Sequence, residues 1–410
     1  MNSKARFEGP AVSSLRCRSW ALASLLVLPA LAGCQERLAK LEEPAVPFVF
    51  RSLNLRQQDP QGRPAWQLTS PEARYDLSRR VAQARALRGT IFVAGKPLYR
   101  LSATSGTVLN DGAVIQLEGL ATLERLGPQP LVVRARRVRW YPRQARMELD
   151  QRPTATDRDL QISADRAVFL INLDKLELRG SPEFTRRTQP SPGVKPQPPE
   201  LVLKVASADW FPSSGNLIAP GPVRATRRQP AGQPAQTLTS PFLRGNSLQQ
   251  QLLLQAPVRF SDPGAKAQLQ AGDTTLDLTR QAVVSRQPFS GAIDKLQLAG
   301  QGFELLNAET LAVITPGCEL RQPGETLTAR RCQWNWISQA IQARGRVVLQ
   351  RKANEQITRA ERLDGRIGAD GLAEFSSPGS RVNTRVRVPA GSSKGPGPRP
   401  ASTARPPIAL

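Results

Sequence analysis

The 410-residue sequence contains no histidine, and that absence excludes more chemistry than any motif in it suggests. Without imidazole there is no Ser-His-Asp or Cys-His catalysis, and the usual ligand for zinc, copper and iron is missing. Aromatic residues make up only 5% of the chain, too few for a base-stacking platform. Cysteine is limited to Cys17, Cys34, Cys318 and Cys332, with no CxxC pair and so no zinc or redox motif. No Walker loop, GxSxG elbow or GxGxxG unit occurs. The nearest approach to a carboxylate pair is Asp157 with Asp159, in Thr156-Asp157-Arg158-Asp159, which reads as a solvated turn. No catalytic residue, metal site or cofactor is expected, and the chain reads as non-enzymatic.

Long apolar runs are also lacking, and the one near the N-terminus is short. After Lys4, Arg6, Arg16 and Arg18, an apolar stretch runs from Trp20 to Ala30 and ends in Leu31-Ala32-Gly33-Cys34. This is about a dozen residues, against the ~20 that a spanning helix needs. A basic segment, a short apolar core and small residues before a cysteine form a lipoprotein signal. Residues 1–33 are then a removable signal peptide. Cys34 is the lipidated first residue of the mature chain, and 34–47 form a lipidated linker. The alternative is a short transmembrane anchor with an incidental cysteine. Each acyl methylene buried in a bilayer contributes ~0.8 kcal/mol, so the mature protein is anchored rather than spanning.

Export constrains the rest. Cys318 and Cys332 remain, and an oxidising compartment permits a disulfide between them. They flank Gln322-Pro323-Gly324, so they could face each other across a hairpin, bridged or as two buried thiols. The net charge is +24, and removal of residues 1–33, with four bases and one acid, leaves +21. The basic residues are scattered singly along the chain, which argues against nucleic acid. Lipid phosphates, anionic sugars and cell-wall polymers are the available polyanions, unless the charge is only an arginine-rich solvated surface.

What is abundant is repetition. An apolar-x-small signature recurs as Leu68-Thr69-Ser70, Leu101-Ser102-Ala103, Val133-Arg134-Ala135, Ile162-Ser163-Ala164, Val205-Ala206-Ser207, Leu238-Thr239-Ser240, Leu269-Gln270-Ala271 and Leu327-Thr328-Ala329. Leu305-Leu306-Asn307 and Ile357-Thr358-Arg359 are weaker copies without the small residue. Most copies lie about 30 residues apart. Between many of them falls apolar-x-Gly: Leu87-Arg88-Gly89, Leu117-Glu118-Gly119, Leu178-Arg179-Gly180, Leu298-Ala299-Gly300 and Ala343-Arg344-Gly345. Around these anchors the apolar period is two, which gives strands with one wet and one apolar face. The glycine marks a bulge or turn where the chain folds back. The 36 prolines and the lack of a sustained 3.6-residue period exclude a helical fold.

Residues 189–200, with five prolines, interrupt the pattern and separate a first array at 48–188 from a second at 201–375. Residues 376–410 are rich in Pro, Gly and Ser, hold no acidic residue, and read as a basic disordered tail. The expected fold is all-β, built from repeated antiparallel strand pairs in two consecutive arrays.

The opening of the first array is the most specific part. Leu53-Asn54-Leu55 leads into Asp59-Pro60-Gln61-Gly62, then Trp66-Gln67-Leu68-Thr69-Ser70 and Ala73-Arg74-Tyr75-Asp76. This resembles the LptC family, the periplasmic component of the lipopolysaccharide export transporter, and its LptA/OstA-like relatives. The clear likeness covers roughly residues 48–185, and the second array shares only the repeat grammar. The resemblance implies an elongated open β-jellyroll whose apolar interior cradles acyl chains, with no enzymatic step. Leu68, Ile91, Leu101, Ile115, Leu117, Val133 and Ile162 would then line the interior. It also implies lipopolysaccharide as cargo, with inner-membrane ABC exporter subunits and a periplasmic bridge protein as partners joined by β-strand addition. The location would be the periplasm, through a lipid anchor in the inner membrane. A lipobox in place of the usual transmembrane helix, and about twice the usual length, depart from the family pattern. The rival reading is a structural envelope lipoprotein that binds peptidoglycan or envelope proteins through a basic surface.

Overall fold

The structure, a computed structural model, describes residues 48–158, 160–186, 201–228, 234–353, 355–366, 373–379 and 381–387. The signal peptide, Cys34, the linker at 34–47, Asp159, the segment 189–200 and most of the C-terminal tail lie outside them. All described residues belong to the unit Ala45–Leu410. They form antiparallel strands joined by tight turns, with a few single 3-10 turns.

The pairing registers resolve these strands into two layers. One begins with the hairpin Leu53–Gln58 and Pro64–Ser70 and continues through 87–93, 96–103, 121–125 and 132–135. It runs on to 325–329, 347–351 and 356–360. The other begins with Phe48–Phe50 on Glu72–Asp76 and continues through 81–85, 105–109, 114–118 and 137–141. It runs on to 331–335, 340–344 and 362–366. Long strands such as Val114–Arg125 and Ala340–Arg351 belong to both layers, passing from one to the other through a mid-strand corner. The result is a two-layer β-jellyroll. Corners stack along one side of it, and hairpin turns form two rims along the other, with the mouth between them.

The two sequence signatures find their physical cause at these corners. Registers shift between Ser102 and Ser105, Glu118 and Ala121, Pro220 and Val223, and Arg344 and Val347. Gly119 bends with φ +86°, and a Cβ there would lie 2.6 Å from Cβ of Thr104 on the neighbouring corner. Only glycine fits such a bulge without strain. Gly180 and Gly345 share the conformation. The expectation that the chain folds back at these glycines is corrected: it bends there into the opposite layer, and reversal occurs at the rims. Gly89 is not a corner. It lies inside a strand, where the Leu68 side chain fills the space a Cβ would need. The small residue of the other signature sits where the layers converge, as do the buried Ala103, Ala135 and Ala164. Three corners add a serine device. Ser70 Oγ lies 2.7 Å from Glu72 O and 2.6 Å from Arg85 O, and it accepts the Glu72 N–H. Ser240 and Ser285 repeat this with Phe242 and Gln255, and with Gln287 and Asp273. A buried hydroxyl thus serves backbone groups that the corner removes from the ladder.

Both ladders continue on either side of the proline-rich segment, since Glu183–Arg186 pairs with Leu201–Lys204 and Lys175–Arg179 with Ser207–Phe211. The apolar core instead forms two clusters, one from Trp66 to Val258 and one from Ala271 to Leu363. At the C-terminal end, Asn383–Arg385 pairs with Ile357–Arg359, so part of the stretch expected to be a disordered tail is a strand. Backbone pairing at an open edge outweighs its polar composition there.

Cys318 and Cys332 are bonded, with Cα atoms 5.9 Å apart. They do not face each other across the Gln322-Pro323-Gly324 hairpin, where Cys318 is opposite Ala329. Cys332 lies in the other layer, between Ile314 and Ala343, so the bridge ties the two layers beside their corners. The Thr156–Asp159 reading is also corrected. Asp157 ends a strand, is buried at 7% exposure and has interaction partners, because its position faces the interior.

Candidate functional site

The interior between the layers is an apolar enclosure, and it has two sections. The first is filled. Leu68, Ile91, Leu101, Ile115, Leu117, Val133 and Ile162 all point inward, with exposures of 4% or less. Large rings occupy the space in front of them. Trp66 meets Trp140 edge-on at 5.7 Å, and Tyr99 meets Phe169 at 5.6 Å, each pair reaching from one layer to the other. The structure therefore gathers the sequence-predicted lining residues and buries them together in one packed core.

A polar group closes the mouth over this core. Arg125 is the last residue of its strand in one layer. Asp174 caps a 3-10 turn, Ile171–Leu173, on the rim of the other. The Arg125 guanidinium pairs with Asp174 Oδ1, and its side chain is only 6% exposed. It also donates to the Tyr99 hydroxyl at 3.2 Å, which in turn lies 3.3 Å from Asp174 Oδ1. The second Asp174 oxygen accepts the Ser213 N–H at 2.6 Å. Tyr99 has no exposed surface, and burial raises its phenol above the ordinary tyrosine range. The Arg125 hydrogen bond and charge oppose that rise, and the Asp174 carboxylate adds to it.

The second section is not filled. Between the strands 267–271, 289–293, 296–300 and 318–322 of one layer and 303–306, 311–314 and 331–335 of the other lies an apolar cleft of about 80 Å³. That is several times the volume one water needs. Its walls include Leu269, Ile293, Leu296, Leu298, Leu305 and Trp334, all half-buried, and no polar surface lines it. Phe289 and Phe303 meet at 4.9 Å across the layers, and Cys332 of the disulfide also lines the cleft. Four adjacent strands make the cleft roughly 15 Å long at the spacing of a β-ladder. Polar pairs border it on the same layer. Gln236 donates to Asp262 at 2.7 Å on one side. On the other, Gln322 donates to Glu325, which pairs with Arg351 at 2.9 Å.

Among the described residues no group of His, Cys, Asp and Glu is placed to hold a metal, and no helix is long and apolar enough to cross a membrane. What the cleft can do is take apolar chain out of water, at about 0.8 kcal/mol for each methylene buried. The residues that sequence reasoning named for the lining lie in the filled section, and it named none of the cleft residues. One signal was present: Leu305-Leu306-Asn307, a copy that lacks the small residue, lies in the cleft wall.

The described chain is thus an all-β, antiparallel jellyroll array with an apolar interior. Residues 20–181 match the family of lipopolysaccharide-assembly, LptC-related proteins, and carry the strands from Phe48–Phe50 to Lys175–Arg179. No curated protein matches the chain. Among solved structures, it is similar to LptH from Pseudomonas aeruginosa, described as the LptA homologous periplasmic component of the conserved lipopolysaccharide transport device. The identity is 15%, over 32% of this chain and 90% of that one, with a TM-score of 0.25.

Proposed function

We propose that this protein is a non-enzymatic periplasmic carrier in lipopolysaccharide export, and that the apolar cleft at 267–334 holds acyl chains. The observation that carries the reading is an open cleft with a wholly apolar lining, in a chain whose N-terminal part is LptC-related. A filled core explains the buried leucines of the first section but not half-buried Leu296, Leu298 and Leu305 around empty space. Acylated Cys34 would hold the protein to the inner membrane.

Exporter subunits and a bridge protein would join through the array's edges. At the N-terminal edge, Phe48, Val49 and Phe50 are 55%, 61% and 42% exposed, on a strand paired with Glu72–Asp76. Such an edge can accept a further strand. The test is a photocrosslinking amino acid introduced in cells at Leu298, Leu305, Leu117 and outward-facing Gln297. Lipopolysaccharide adducts are expected from Leu298 and Leu305 and not from Gln297. Adducts absent from both cleft positions would end the carrier reading.

A further inference from the structure

We propose that Arg125, Tyr99 and Asp174 form a latch on the mouth of the filled section, and that its release opens that section to an acyl chain as a second apolar site. The proposal rests on the carrier reading and adds a second, regulated site to it. Three observations lead to it.

The first is position. Corners join the layers covalently along one side, whereas at the mouth the contacts are between side chains. Arg125 reaches from the rim end of one layer to Asp174 on the rim of the other, so their contact shuts the mouth at that point. No ladder hydrogen bond has to break for it to open. The turn that carries Asp174 is itself a rim turn, held by Asp174 N–H to Ile171 O at 3.2 Å.

The second is composition. The filled section is packed mainly from apolar and aromatic side chains, and an ion pair with Arg125 6% and Asp174 25% exposed is a poor way to stabilise such a core. Apolar residues of similar volume commonly do as well or better. The pair is also incompletely satisfied, since Arg125 Nε is buried without a hydrogen-bond partner. A contact that holds while paired and costs much to leave buried and unpaired has two discrete states. Once Arg125 and Asp174 separate, both charges gain by moving to solvent at the rims.

The third is what lies beneath. Tyr99 is gripped by both charged groups and packs edge-on against Phe169 of the opposite layer. Freeing its hydroxyl frees the ring that fills the space in front of Leu101, its neighbour but one on the strand. Once that ring can move, space opens locally beside the inward-facing Leu101, Leu123 and Val133, while the Trp66–Trp140 pair stays in place.

The experiment uses the full-length chain with a dansylated undecanoic acid as probe, scored as bound probe per chain. The same variants carry a photocrosslinker at Leu298 or Val133 to report which section is occupied. In Arg125→Gln, and in Arg125→Cys/Asp174→Cys before any crosslink, bound probe is expected to rise roughly twofold over wild type, as a second apolar site opens. Val133 should then capture the probe, which it does not in wild type. Joining the two introduced cysteines with a short bis-maleimide should return binding to the wild-type level in the same folded protein. Equal binding before and after that crosslink, with no capture at Val133, overturns the latch. The carrier reading fails separately, if Leu298 captures no probe in wild type. Should Arg125→Gln lose its β-sheet circular dichroism, the crosslinked and uncrosslinked double variant decides alone.

Discussion

The filled section and the cleft section share one backbone grammar and differ in what the grammar carries. Both alternate inward and outward residues, bend at corners and reverse at rims. In the first, Trp66, Tyr99, Trp140, Phe169 and Trp210 reach into the interior, each at 5% exposure or less, and make it solid. In the second, Leu296, Leu298, Leu305 and Ala312 line the interior beside the Phe289–Phe303 pair and leave space. Corner chemistry sets the fold, and side-chain volume near the mouth decides whether that fold is a core or a container.

The comparison breaks most directly under large-to-small substitution. Trp140 is 1% exposed, and Trp140→Ala should cost about 3–5 kcal/mol, since cavity formation adds to lost transfer energy. The low end is expected, because the Trp140 indole N–H is buried without a partner and its loss removes that penalty. Leu298→Ala, at a half-buried wall beside existing space, should cost no more than about 1 kcal/mol. Denaturant unfolding, read with hydrogen exchange to localise the change, measures both. Similar costs at the two positions would mean that the cleft is packed in solution.

Much of this fold was legible in the chain, because the same physical demand recurs every half-repeat. Period-two alternation follows from the pleat, and the small residue and glycine follow from convergence and bending at corners. The N-terminal hairpin was legible too: Asp59 Oδ1 accepts the N–H groups of Gln61 and Arg63 as that turn chemistry requires. The site was less so. Leu101 and Leu298 read alike, and what the sequence does not report is the ring that meets Tyr99, the neighbour but one of Leu101, across the layers. That ring lies on a strand about 70 residues away, at Phe169, and no local pattern reports it. Asp157 was misread for a related reason: its polarity suggested solvent, whereas its register position faces inward.

A smaller effect, confined to the cleft, should follow from removing the disulfide. The bridge closes 14 residues of sequence, and a loop of that size is worth about 3 kcal/mol in the chain-entropy account. Cys332→Ala with Cys318→Ala should lower protection of the strands from 267 to 349 and leave 66–170 unchanged, because repeat arrays respond mainly through their neighbours. Hydrogen exchange of both forms measures this. Equal loss along the whole array would show that the two sections unfold as one.

The smallest effect separates the sections by pH. All three tyrosines, Tyr75, Tyr99 and Tyr141, lie in the filled section, and none lies in the cleft. Burial raises the Tyr99 phenol above its ordinary value, which the unfolded chain retains at about 10. Below that pH both states keep the proton and Tyr99 contributes no pH dependence. As pH rises through the ordinary value, the unfolded chain ionises first and the folded state is increasingly disfavoured. The stability present below that point is therefore lost as pH climbs toward the raised folded value. An ionised Tyr99 would also face Asp174 and lose its hydroxyl hydrogen, leaving Arg125 to choose between two anions. Tyrosinate absorbance should show one phenol ionising late, and Tyr99→Phe should remove that component. Exchange protection in alkali should fall first around 99–174 in the native protein and less in Tyr99→Phe, while 267–334 holds in both. A Tyr99→Phe protein with an unchanged alkaline profile would show that the phenol is already in contact with solvent, and that the mouth over the filled section stands open.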